Sequence, residues 1–445
     1  MLSCCRGVRA AKTGRDDRPS FGDENMPRAE ALERFDRLRV REVYALRDHT
    51  ASTFLVQFQS TAASLEPDER IKLVVYAHKS MKFLKAVLSD SQANKICSLK
   101  WWYDGKKDVN SIVPLLTNSC PELASLDVCF NHYSVFDLVS SLLEHSSNRI
   151  KVLVVARCTK GDFARFFAAL GQSQVSAITL SNIDSPEFAQ GLHEYLAKDL
   201  LVRLDVQMND KQVPSEMMMS LAQCIRLAKL EMSYCEFSQS NAFTLPRSIT
   251  KLDLRHCLFV GGFDWSFPAD SNVRELDFLN VRGIDGFGGA LVVHLRAKGL
   301  DKLSLYYCDF ADETLAVVGV ELGRIKKFYL ESSNLNDASI KLIALALQSP
   351  NNGMKELRLT YDDHTIRFIE SHLVSALRHP NCNLAELRLC TYEPEHNEAV
   401  KAVEGAFRDR IALFVLLQGR QVRRRYCPLR RLPVEMFRLV GKVLI

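Results

Sequence analysis

Asp205, Glu231, Asp253 and Asp277 are four carboxylates that return at nearly even intervals along this 445-residue chain. Carboxylates brought together can divide acid and base work, provided a cleft desolvates one of them and a reacting group reaches both. The surrounding sequence offers no such companion. G-x-x-x-x-G-K-[ST], G-x-G-x-x-G, the G-x-S-x-G elbow and the kinase set are all missing, and Gly288-Gly289 has no phosphate-loop lysine beside it. The 11 histidines are scattered, with His372 and His379 on the surface of an expected helix. The 13 cysteines contain no C-x-x-C, and no His/Cys quartet or H-E-x-x-H spacing accompanies them. Catalysis, a metal and a cofactor are therefore not expected. With no apolar signal core near the start, these cysteines read as reduced thiols of the cytoplasm or the nucleus.

The carboxylates share an address. Each follows the second leucine-like residue of an L-x-x-L-x-L phrase. That residue falls at Leu99, Leu126, Leu153, Ile178, Leu204, Leu230, Leu252, Leu276, Leu303, Phe328, Leu357 and Leu387, with an earlier copy at Leu73. Successive copies lie 22 to 30 residues apart, so thirteen of them account for roughly residues 70 to 395. Within a copy the apolar spacing begins at period two, as in "IKKFYL", and then becomes helical. Ile340, Ile343, Ala344 and Leu347 follow the polar start Asn336-Asp337, and Leu315, Val318, Gly319 and Leu322 repeat the scheme. Units of strand, turn and helix stacked on their neighbours would bury a continuous core, for which 47% apolar residues suffice. The longest nearly unbroken apolar run, Ile411 to Leu417, is far shorter than the roughly 20 residues of a membrane-spanning helix. "SYCEFSQSNAFTLPRS" and "HCLFVGGFDWSFPADSN" lack helical spacing, so coil or a short 3₁₀ turn is expected there.

The phrases "ITKLDLRHC", "LDKLSLYYC", "MKELRLTYD" and "LAELRLCTY" resemble the leucine-rich repeat family in its longer, ribonuclease-inhibitor-like form. The resemblance implies an α/β solenoid, a horseshoe of about 13 repeats with parallel strands on the concave face and helices or coil on the convex face. It also implies that the slot three residues after the phrase points inward at a bend; Cys158, Cys235, Cys257 and Cys308 hold it, as do Asn131 and Asn209. It implies little about function, because one such scaffold serves inhibitors, receptors and adaptors. Around the array the chain divides into a disordered basic lead (1–27), a helical cap (28–69), the repeats (70–395) and a helical, basic tail (396–445). In the cap Leu32, Phe35, Val43 and Leu46 share a helical face. From Leu417 to Ile445 the tail holds seven Arg and one Lys against Glu435, a charge of +7 in a chain of +5.

Where the leucines of a strand are buried, the flanking residues face outward and form columns across the repeats. One column reads Asp205, Glu231, Asp253, Asp277, Ser304, Tyr329, Arg358 and Arg388; the column before it reads Arg203, Lys229, Lys251, Glu275, Lys302 and Lys327. As a solvated ladder the two columns neutralise each other in cross-strand pairs worth roughly a few tenths to 1 kcal/mol each. As a polarised groove they accept a protein partner, with Trp102, Tyr306, Tyr329, Arg358 and Arg388 as anchors of the types that dominate binding hot spots. The expected function is a non-catalytic scaffold for a protein partner on the concave face, with no nucleic acid involved. In the tail, Leu432, Pro433, Glu435, Met436, Val440 and Leu444 are similar to the opening helix of the F-box family. That similarity implies docking on the Skp-type linker subunit of a cullin ubiquitin ligase, although a helix capping the last repeat fits the same residues. A leucine-rich GTPase regulator is a third alternative, against which the basic tail counts, since such proteins carry an acidic one.

Overall fold

The computed structural model describes residues 33, 36, 39–45, 50–76, 80–103, 110–130, 135–145, 148–156, 162–181, 185–238, 245–268, 270–331, 335–361, 366–391 and 401–409. The expected lead, the residues Leu32, Phe35, Leu46, Asn131 and Cys158, and the F-box-like residues Leu432, Pro433, Glu435, Met436, Val440 and Leu444 lie outside them.

Alternation makes the strands. Sixteen occur among the described residues, beginning with β1 (Arg39–Ala45), β2 (Glu69–Tyr76), β3 (Ile96–Tyr103), β4 (Ser125–Phe130), β5 (Val152–Ala156) and β6 (Ala177–Ser181). They continue with β7 (Arg203–Gln212), β8 (Lys229–Ser238), β9 (Lys251–Arg255), β10 (Leu258–Asp264), β11 (Glu275–Leu279) and β12 (Arg282–Asp285). The last are β13 (Leu300–Tyr306), β14 (Ile325–Glu331), β15 (Glu356–Tyr361) and β16 (Glu386–Thr391). All but β10 and β12 follow one another in chain order across a single sheet, and every pairing is parallel.

The register follows the leucines. Leu73 lies opposite Leu99, Leu99 opposite Leu126, and the sequence runs unbroken through Leu153, Ile178, Leu204, Leu230, Leu252, Leu276, Leu303, Phe328 and Leu357 to Leu387. A slip of one residue would turn this whole row to the other face, so burial fixes the pairing. The chain entering each strand is tied to the preceding one in the same way: Lys151 N donates to Ala124 O, Ser176 N to Lys151 O, Val202 N to Ser176 O and Ala228 N to Val202 O, all at 2.8–2.9 Å.

Parallel strands need crossovers, and helices supply most of them. Among the first eight strands these are α1 (Ala51–Ala63), α2 (Ser80–Leu88), α3 (Val113–Ser119), α4 (Val135–Leu143), α5 (Phe163–Gln172), α6 (Pro186–Leu196) and α7 (Ser215–Gln223). Among the last five they are α8 (Phe287–Ala297), α9 (Ala311–Val318), α10 (Asp337–Gln348) and α11 (Ile366–Arg378). Side-chain caps start several of them, at Thr50, Asp162, Ser185 and Asn336, each accepting from a backbone N–H three residues on. The leucine face of the sheet and the inner faces of the helices form one buried cluster. Its aromatic stretches are Phe136, Phe166, Phe167 and Phe188, then Trp265, Phe278, Phe287 and Phe310.

Three expectations change. The segment expected as a helical cap holds β1, which places Val43 opposite Leu73 and adds one strand ahead of the repeats; Val43 and Ala45 are buried while Arg41, Glu42 and Tyr44 are not, a period of two. Among the described residues of that region helix is present at Glu33 and Asp36 ahead of the strand and as α1 after it. The second concerns the two repeats without helical spacing, which carry strands in place of coil: β10 pairs with the end of β8 and with β12, and Phe237 stacks on Phe259 at 4.4 Å beneath them. The third is Asn209, which is exposed; Met208 is buried in its stead because the register of β7 against β8 shifts between Gln207 and Lys211. Cys235, Cys257 and Cys308 are buried.

Candidate functional site on the open strand face

The face of the sheet opposite the leucines carries the charged columns, and strand register places the expected residues in three groups. Trp102 is 42% exposed on β3, where Tyr76 meets it edge-on at 5.3 Å and the Lys100 ammonium lies 5.8 Å from its ring centre. Three strands separate it from Asp205, so the sheet does not bring Trp102 together with the other anchors.

The acidic column is contiguous. Asp205 pairs in register with Glu231, Glu231 with Asp253, and Asp253 with Asp277. Residues from β6 to β9 surround a cavity of about 310 Å³: the carboxylates Asp205, Glu231 and Asp253 lie along it with Thr179, and Arg203, Lys229 and Lys251 border it. Arg255, which the column reading passes over because it lies two residues further along β9, bridges Asp253 at 2.8 Å and Glu231 at 3.3 Å. Its two-pronged contact keeps Asp253, only 4% exposed, compensated. Lys302 and Lys251 reach Asp277 at 2.6 and 3.4 Å. Burial works against the Asp277 charge, but the contacts with Lys302 and Lys251 bring its carboxyl below the ordinary value. Among the described residues Asp205 has no such cationic partner in contact. Burial first, and the neighbouring Glu231 second, push its carboxyl up to about 7, against a hydrogen bond with Thr179. Burial and Asp253 likewise raise Glu231. The groove thus holds a carboxyl that changes charge near neutral pH beside groups of fixed charge. No set of three or more His, Cys, Asp or Glu side chains arranged to hold a metal occurs among the described residues.

The third group gathers on β13 to β16. Ser304, Tyr329, Arg358 and Arg388 are register neighbours, and Tyr306 lies two residues beyond Ser304 on the same face. The Tyr329 hydroxyl donates to Glu356 at 2.6 Å, and Lys302 sits 5.2 Å from the Tyr329 ring centre. Burial first, then that bond to Glu356, raises the Tyr329 phenol. Lys327 also reaches Glu356, at 3.1 Å, and Arg388 pairs with Glu386 on its own strand. Part of both columns is therefore the neutralising ladder, while Asp205 and Arg358 stand outside it.

Within β8 and just past the ends of β9, β11 and β13 a second row emerges that the sequence reading missed. Tyr234, His256, Asn280 and Tyr307 all have left-handed backbones, with φ between 50° and 55°. That turn lets His256 N, Asn280 N and Tyr307 N each donate at 2.7 Å to the carbonyl that ends the next strand, Leu279, Tyr306 and Glu331 respectively. Tyr234 stacks on His256 at 4.7 Å, and Tyr234 and Tyr307 are 38% and 43% exposed. The signal available in the sequence was position: three of the four directly precede Cys235, Cys257 and Cys308. Among the described residues no helix is long and apolar enough to cross a membrane. Compared with known proteins, the chain matches no protein-family model and no curated protein.

Proposed function

We propose that the chain is a leucine-rich-repeat solenoid of about thirteen repeats, curved as a horseshoe, that acts as a non-catalytic scaffold and takes a protein partner along its open strand face. The observation that supports this best is the in-register column from Asp205 to Arg388 on the face opposite the leucines, which sets carboxylates, Tyr329 and two arginines on adjacent strands of one sheet, with Asp253 and Ser304 buried among them. Such a surface offers several anchor types at fixed spacing with little ordering cost on binding. The cavity beside Asp205, about 310 Å³ and bordered by Arg203, Lys229 and Lys251, has a size suited to a side chain of a partner.

The test places a photo-cross-linking amino acid in the full chain, in cells, at Lys229 or Tyr329 on the open face and at Met219 or Val293, exposed on the helices. Discrete adducts from the open-face positions alone are expected. Adducts arising only from the helical positions, or none at all, would overturn the assignment.

A further inference from the structure

Around Arg358 the carboxylates are already taken. Glu356 accepts from Tyr329 and Lys327. Glu386 pairs with Arg388, and Glu331 accepts from Thr360 at 3.4 Å and from the Tyr307 hydroxyl. Arg358 lies between them, opposite Tyr329 on one side and Arg388 on the other. Its Nε is fully enclosed and has no hydrogen-bond partner, and among the described residues Arg358 forms no ion pair. A guanidinium has five donors in a fixed plane, and leaving a buried one without an acceptor, next to a second arginine, is costly. Other cations of this face, Lys72, Lys100, Lys251, Arg255, Lys302 and Lys327, each have a carboxylate. Among the described residues Lys229 lacks a carboxylate too, but it is exposed to water, whereas Arg358 is partly buried with an enclosed donor; Arg358 therefore marks a place where an acceptor from outside offsets the charge.

We propose that Arg358 is the docking point for a single carboxylate, an Asp or Glu side chain of the protein partner, seated beside Tyr306 and Tyr329. This rests on the scaffold reading and names the chemistry of its partner at one position. Charge selects a carboxylate over a phosphate. Glu331, Glu356 and Glu386 already border the site, so a doubly charged group meets repulsion, whereas one carboxylate presents two coplanar oxygens to one guanidinium fork. The flanking tyrosines add apolar area around the pair and exclude water from it.

The test uses the full chain with ¹⁵N-labelled arginine, the Nε–H resonance of Arg358 being assigned by its loss in Arg358→Lys. The probes are a synthetic Tyr/Glu peptide, the same peptide with Gln for Glu, and inorganic phosphate. A saturable shift of that resonance is expected with the Glu peptide, with at least tenfold weaker binding of the Gln peptide. Arg358→Gln should weaken Glu-peptide binding at least tenfold and Arg358→Lys less, with melting of both close to that of the parent. No saturable shift, equal shifts from the Glu and Gln peptides, or tighter binding of phosphate would each overturn the proposal. Cross-linking separates the two readings. Open-face adducts that persist undiminished in Arg358→Gln leave the scaffold standing and remove the carboxylate site, whereas loss of every open-face adduct in the parent removes the scaffold itself.

Discussion

At the scale of single residues, environment rather than residue type decides which charge matters. Asp277 and Asp205 occupy the same register position, yet lysines hold the first ionised while burial and Glu231 keep the second protonated up to about pH 7. A carboxyl whose folded pKa lies above its unfolded value of 3.8 binds its proton more tightly in the native state, so its contribution to stability is full below about pH 4 and is lost as pH rises through about 7. Asp205→Asn should therefore melt like the parent at pH 4 and above it at pH 8, the gap opening between those values and reaching up to roughly 4 kcal/mol at about 1.4 per pH unit. Urea titrations at a series of pH values measure that gap, and a pH-independent difference would contradict the assigned environment. The cysteines follow the same logic of burial. Burial pushes the Cys308 thiol up to about 12, and Cys235 and Cys257 are enclosed with it. All three should resist a thiol reagent in the native chain and react once it is denatured.

At the scale of elements, the turns that close the strands are less regular in sequence than in backbone. Tyr234, His256, Asn280 and Tyr307 share one left-handed conformation without sharing chemistry, and none is a glycine, so no composition signal marks the turn. Each carries backbone strain that a 2.7 Å bond to the next strand offsets in three of the four cases. Tyr307→Ala and Tyr307→Gly lose the same hydroxyl contact with Glu331, but only glycine relieves the strain. The glycine variant should be the more stable of the two by about 1 kcal/mol, the reverse of the usual order, in paired thermal melts. Gly283 makes the opposite demand. A Cβ there would stand 2.0 Å from Phe259 O with φ at 76°, where β12 lies against β10. Gly283→Ala should cost more than about 2 kcal/mol, because the atom it strikes is backbone and cannot rotate away. The sequence of β10 does not announce a strand: Gly261-Gly262 interrupts it, and the short stretch that pairs in parallel with β8 leaves too little alternation to distinguish from irregular chain.

At the scale of the whole molecule, what could be read beforehand was what repeats. A leucine at a fixed phrase position specifies a strand, a face and a register at once, and the row from Leu73 to Leu387 is continuous for that reason. Val43 extends the row without announcing itself, since "RVREVYAL" also spaces Val43 and Leu46 as a helix would, and only pairing with β2 decides between the two. The site was legible as a column and illegible as an electrostatic arrangement, because Arg255 and Glu356 compensate it from neighbouring positions and the sequence does not say which lysine reaches which acid. The same neighbour-to-neighbour construction governs stability. Leu303 is fully buried between Leu276 and Phe328, and an aspartate there would place a charge without a partner in the continuous core. Leu303→Asp should destabilise by several kcal/mol, on the order of 3 to 5. Because a stacked array transmits stability mainly between adjacent units, the loss should be graded along the chain. Amide exchange should accelerate most in β11, β13 and β14 and least in β2 and β3, and a uniform acceleration throughout would mean that the sheet unfolds as one indivisible unit instead.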